Sequence, residues 1–229
     1  KLGLAAALAC CAFTFLLGGG PVEMILAFLC AGIGNVIRTK LIKHNFTLFL
    51  NIAVSISCSC LLYSILLKLA EILFHVSALH EAGYICSILF IIPGFPFITS
   101  GIDLSKLDLR SGLERLSYSI IIVLVATMTA WIMALLLHLQ PLNFTSLNLD
   151  PILLLILRLL TSFCGVFGFS IMFNSPVKMA AIAALMGALS NTLRLELVDL
   201  TGTPTTAAAF IGALTAGLLA SLIKNYNGY

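Results

Sequence analysis

Charge is scarce in this chain. Lys and Arg number 12 and Asp and Glu 9 in 229 residues, so 9% of the side chains are charged while 61% are apolar. A soluble domain carries roughly 25% charged and roughly 45 to 50% apolar residues, so this composition excludes an ordinary soluble fold. The net charge of +3 offers no basic surface for nucleic acid. The apolar runs also lack polar and apolar alternation, which excludes a lipid-facing barrel, whose strands alternate. What remains are runs near the 20 residues that carry a helix across the roughly 30 Å hydrocarbon core with its backbone satisfied internally. The chain is expected to be an all-α, polytopic membrane protein.

Catalytic and metal motifs are missing too. There is no G-x-S-x-G, no H-E-x-x-H and no phosphate-binding glycine loop, so an intramembrane enzyme or an ATP-driven pump has no catalytic residues to work with. His44, His75, His80 and His138 fall in connections or at segment ends, none at ligand spacing from another, and neither a metal nor a cofactor is expected. The seven cysteines lie inside apolar runs without a C-x-x-C pair, which reads as packing. The sequence opens at Lys1 with neither an initiator Met nor a cleavage site after its first apolar run; it is expected to be part of a longer protein.

Eight apolar segments are present, at roughly 2–17, 22–37, 46–70, 82–102, 116–139, 152–173, 177–195 and 205–223, with the second and seventh short for a span. With residue 1 on the cytoplasmic side, that side collects Lys1, Arg38, Lys40, Lys43, Lys106, Arg110, Arg115, Lys178 and Lys224, and the other keeps Lys68 and Arg194. The excess of basic residues predicts cytoplasmic ends for both termini. Pro21-Val22-Glu23-Met24, Gly32 and Asn35 to Arg38 recur as Pro176-Val177-Lys178-Met179, Gly187 and Asn191 to Arg194, with one inserted residue. Five spans separate the copies, so they run in opposite directions, an inverted-topology repeat of the kind found in transporters. Residues 1–140 form a first five-helix unit, 141–150 an external linker, and 151–229 the first three helices of a second, inverted unit. About two further spans are expected on the chain's extension or on a partner subunit.

The fourth segment contains Ile92-Pro93-Gly94-Phe95-Pro96 and then Thr99, Ser100 and Asp103. Two prolines and a glycine remove amide donors and break the helix some 15 Å in from Gly83, near mid-depth. The freed carbonyls need partners from a neighbouring helix, a water-filled cavity or a ligand. The break is either a substrate site or a packing kink. Thr99 and Ser100 either bind substrate or cap the freed backbone. Asp103 is either a solvated loop residue or a cation or proton site at a vestibule mouth, and Arg158 is a snorkelling side chain, an anchor for a substrate carboxylate or a counter-ion to an acid elsewhere. Asn35 and Asn191 either cap helix C-termini or line a pseudo-symmetric path. Asn51, Ser55 and Ser59 share one helical stripe and serve either packing or pore lining.

These residues resemble the threonine/serine exporter family of bacterial and fungal membranes. The likeness runs through Leu17-Gly18-Gly19-Gly20, the Pro93-Gly94-Phe95-Pro96 break with Asp103, Ser111-Gly112-Leu113-Glu114-Arg115-Leu116, Phe173-Asn174-Ser175-Pro176 and the Ala- and Gly-rich helix after Pro204. It implies a secondary carrier of the inner membrane, proton-coupled, exporting small hydroxylated amino acids, with about ten spans fused in one chain or split between subunits. In that reading Pro93, Gly94, Pro96, Thr99 and Ser100 hold a small zwitterion, Arg158 its carboxylate, and Asp103 couples to protons. The family has glycine where this chain has Leu107. A passive channel for small solutes and a non-transporting membrane assembly subunit are the alternatives, and the partner to look for is a second membrane subunit or another copy of the chain in a homo-oligomer.

Overall fold

The computed structural model describes residues 2–75, 80, 82–139 and 149–227, and among them every regular element is helical. The elements are α1 (Leu2–Leu16), α2 (Pro21–Lys43), α3 (Leu48–Phe74), α4 (Gly83–Ser87), a single 3-10 turn (Leu89–Ile91), α5 (Gly94–Ser105), α6 (Leu109–Leu137), α7 (Pro151–Met172), α8 (Val177–Thr201) and α9 (Thr205–Asn227). Lys1 and the expected linker up to residue 148 lie outside the described residues.

Six of these, α2, α3, α6, α7, α8 and α9, are long and apolar enough to cross a membrane, and α4 with α5 adds a seventh if the bent pair is one span. The segment at 2–17 forms a helix of only 15 residues, about 22 Å long, which is shorter than the hydrocarbon core. The expectation that the second and seventh segments are short is corrected. α2 has 23 residues and α8 has 25, because each helix runs on through polar residues that hydropathy leaves out, Arg38 to Lys43 and Glu196 to Thr201. The backbone keeps its hydrogen bonds in the interface whatever the side chain, and Lys40 and Lys43 suit the negative C-terminal end of α2.

Local chemistry sets the turns. After α1, Gly18 takes a φ of +99°, the Gly19 N–H donates to the Thr14 carbonyl and the Gly18 N–H to the Phe15 carbonyl, which is the Schellman arrangement. α7 stops in the same way, with Asn174 at φ +63°, Ser175 donating to Ser170 and Asn174 to Ile171. In each case a proline follows at or next to the start of the next helix. α5 ends on a third such turn, in which Leu107 sits at φ +64° and 82% exposed. That is the position where the resembling family has glycine, the residue a left-handed turn favours.

The core forms where α1, α2, α3, α4 and α6 meet around Cys10, Cys30, Ile56, Cys60, Tyr63, Phe90 and Ile122. Small residues bring the helices together, as expected in lipid, where close packing has to replace the hydrophobic drive. A Cβ on Gly34 would fall 2.0 Å from Ser59 Oγ and 2.8 Å from the Phe90 ring. Ser55 and Asn51 are buried, with Ser55 donating to the Asn51 carbonyl, so this polar stripe serves packing. α7 and α8 pack on each other, as do α8 and α9, and α7 joins the first group through α1. Gly168 lies against Ala5 and Ala9, Gly165 against Ala12 and Phe13, so α1 and α7 run antiparallel. The Phe13 and Phe169 rings meet there at 5.3 Å.

Candidate functional site

The fourth span is broken where the prolines require it. α4 and its 3-10 turn meet α5 at 55°, and Pro93 has φ −84° and ψ 59°, a three-residue inverse γ-turn closed by the Gly94 N–H donating to the Ile92 carbonyl at 2.9 Å. In an unbroken helix that N–H would have served the Phe90 carbonyl. The orphaned Phe90 oxygen instead accepts from Arg38 Nη1 at 3.0 Å, and the partly buried guanidinium reaches it from α2. A cation thus satisfies the open carbonyl at a buried end of the broken span, a charge-assisted bond stronger than a neutral one. The sequence marked Arg38 as a topology charge and a landmark of the repeat; an arginine facing a break 52 residues away leaves no local pattern to read.

On the other side of the break, Thr99 donates to the Phe95 and Pro96 carbonyls, both at 3.1 Å, the back-bond of a helical threonine to its own helix, α5. Ser100 is buried. Pro93 is buried, Gly94 and Pro96 are partly exposed, and a Cβ added at Gly94 would meet nothing within 4 Å. Beside the break a groove of about 380 Å³ runs between α4 and α6, lined by Tyr84, Ile88, Pro93, Ile122, Thr127 and Trp131. Its wall is mostly apolar, and its polar groups are the Tyr84, Thr127 and Trp131 side chains.

Asp103 stands near the end of α5 with 21% of its side chain exposed, and Arg115 Nη1 of α6 lies 3.1 Å from its Oδ2. That N–H is not aligned for a hydrogen bond, and the buried Oδ2 has no hydrogen-bond donor among the described residues. The carboxylate is therefore neutralised by a neighbour while keeping acceptor capacity free.

Arg158 is not drawn to the break. Its guanidinium, 14% exposed, binds Glu196 Oε1 at 2.8 Å and Asp199 Oδ2 at 2.5 Å, both on α8. One arginine facing two carboxylates is a counter-ion arrangement, with net charge −1 when all three are ionised. Asn35 and Asn191 do not cap helix ends, a correction that follows from the extra length of α2 and α8. Each ties its helix to the one before it, Asn35 through the Leu2 carbonyl at 3.0 Å and Asn191 through Ser162 Oγ at 2.8 Å. Arg194 donates to Asn191 Oδ1 at 3.1 Å.

A further pair was absent from the sequence reading. Glu23 is 0% exposed and its Oε1 lies 2.6 Å from Nδ1 of His80. A charge next to a helix start looks like an interfacial residue in one dimension, and only the fold shows it covered by α3 and α4.

Residues 2–137 match a family described as "Putative threonine/serine exporter", and residues 158–226 match one described as "Threonine/Serine exporter, ThrE". No curated protein and no solved structure matches the chain. With the two matches together spanning most of a chain of membrane-crossing helices, this multi-pass membrane protein belongs to the threonine/serine exporter family of amino-acid exporters.

Proposed function

We propose that the chain is a secondary carrier exporting threonine and serine in exchange for protons, along a path that borders the break at Ile92 to Gly94. The observation that carries this reading is the interrupted span itself, with the Phe90 carbonyl held by Arg38. Irregular backbone at depth is tolerated where protein or a polar ligand satisfies it, and discontinuous spans are where carriers build their sites. The open space at Gly94 leaves room for a small solute beside main-chain carbonyls. Ser100 and the remaining acceptor capacity near Pro96 would receive its ammonium and hydroxyl. For Arg158 to hold the solute's carboxylate, the solute would have to displace Glu196 or Asp199, so a counter-ion role for Arg158 is the simpler one.

The reading has two inverted units, 1–140 and 151–229. Several features support the inversion: matching Schellman turns at Gly18 and Asn174, the paired Asn35 and Asn191 ties, antiparallel α1 and α7, and Phe13 against Phe169, each five residues before its turn residue. Asp103 would then stand at the cytoplasmic mouth of an inner-membrane protein with both ends of this chain inside. A second membrane subunit or a second copy would complete the spans.

Asp103→Asn in the full protein, reconstituted in proteoliposomes, tests the coupling. Accumulation of threonine driven by a pH gradient is expected to fall at least about tenfold, the effect of a 1.4 kcal/mol change, while threonine–threonine exchange persists. Unchanged accumulation would retire Asp103 from coupling. Wild-type protein that equilibrates threonine but never accumulates it would instead identify a passive channel.

A further inference from the structure

Glu23 is the one charged side chain among the described residues that is fully buried, and the export path drawn above makes no use of it. An ionisable group placed inside a membrane protein is costly and is kept where it is paired and used. Its two oxygens serve two different elements. Oε2 accepts from the Gly20 N–H at 2.9 Å, closing the first turn of α2, and Oε1 meets His80 Nδ1 at 2.6 Å.

His80 is held in turn. Its carbonyl accepts from the Tyr63 hydroxyl of α3 at 2.7 Å, and its side chain is 17% exposed. Three residues on, Gly83 opens α4 so close to α3 that a Cβ there would fall 2.0 Å from Tyr63 Oη and 3.1 Å from Glu23 Cβ. The entry to the broken span is thus fastened to α2 and α3 by a contact whose two ends both bind protons. Among the described residues, the other titratable groups that act on Glu23 are Tyr63 from α3 and Cys86 from α4, while the turn after α1 offers the Gly20 amide. Lys68 and Glu71, further along α3, form no ion pair with it among the described residues.

We propose that Glu23 and His80 form a second proton site, at the end of the molecule opposite Arg38, Lys40 and Lys43, and that proton uptake there frees the start of α4. The proposal rests on the coupled-export reading, with Asp103 near one end of the broken span and this pair at the other. With the carboxylate ionised, the imidazole Nδ1–H donates to Oε1. A first proton from water adds to Nε2 of the imidazole, ordinarily a stronger base than a carboxylate, and the contact becomes an ion pair. A second forms an O–H bond on Oε1 and removes the carboxyl's negative charge, so that two donors face each other and the contact parts. Only proton transfer is involved, and the positive charge gained stays on the imidazolium.

Trp131, the sole tryptophan of the chain, lines the groove shared with Tyr84 and Pro93 and reports movement of α4. Its fluorescence, followed in nanodiscs from about pH 8 to about pH 4 across the histidine and carboxylate ranges, is expected to shift in the wild type. The shift should be lost in both Glu23→Gln and His80→Gln. A wild type that does not respond, or a shift that survives in whichever of the two variants folds, overturns the proposal. Because this readout needs no substrate, a wild type that carries no threonine in proteoliposomes would count against the export reading and leave the fluorescence to decide the proton site.

Discussion

Arg38→Met is expected to lower threonine efflux at least about tenfold while the protein still reaches the membrane. Methionine keeps the unbranched apolar stem of the side chain but leaves the Phe90 carbonyl without the donor that now lies 3.0 Å away. A hydrogen bond to a charged group contributes roughly 1.5 to 3 kcal/mol, and here the bond orients the backbone at the break. Without it the 3-10 turn at Leu89–Ile91 keeps the packing of Phe90 against Gly34 but loses its hydrogen bond to α2, and the γ-turn at Pro93 loses its fixed approach. Arg38→Lys keeps the charge with a shorter, single-point donor, so an intermediate rate is expected. Efflux from loaded cells, normalised to surface protein, measures both. Full activity in Arg38→Met would show that the Phe90 carbonyl needs no cation.

Gly168→Leu is expected to part the two halves of the molecule. A Cβ at this position would lie 2.7 Å from the Ala5 carbonyl oxygen and 3.0 Å from the Ala9 backbone nitrogen, and backbone cannot swing aside as a side chain can. Overpacking of this kind costs about 1 to 3 kcal/mol even where neighbours relax. The α1–α7 seam is the main joint between the first six helices and the last three, and it also holds the Phe13 and Phe169 pair. Limited proteolysis in detergent, followed with temperature, is expected to show cleavage between residues 137 and 151 at lower temperature than in the wild type. An unchanged profile would mean that the seam tolerates a wider spacing.

What could be read beforehand was what depends on neighbours in sequence. Pro93, Gly94 and Pro96 break a helix whatever surrounds them, so the interruption and its position were legible. The all-helical membrane class followed from the scarcity of charge and from long apolar runs without alternation. The helix ends were not legible, because hydropathy follows side chains whereas α2 and α8 continue on backbone hydrogen bonds through Arg38 to Lys43 and Glu196 to Thr201. That extension explains why Asn35 and Asn191 brace neighbouring helices, where capping had been one of two readings. Contacts between distant segments were the least visible. Arg38 on Phe90, Glu23 on His80, and Arg158 on Glu196 and Asp199 each join residues 38 to 57 positions apart. In one dimension, all that showed was a basic turn, an acid at a helix start and a lone arginine in a leucine run.

Gly94→Cys in a background cleared of the seven native cysteines tests the path itself, since the added Cβ enters open space and leaves the fold alone. A membrane-impermeant thiol reagent is expected to modify Cys at this position from the aqueous phase, and threonine or serine is expected to slow the reaction while a bulky aromatic amino acid does not. A thiol that reacts only with lipid-soluble reagents, at a rate threonine leaves unchanged, would place the break against lipid and contradict the account.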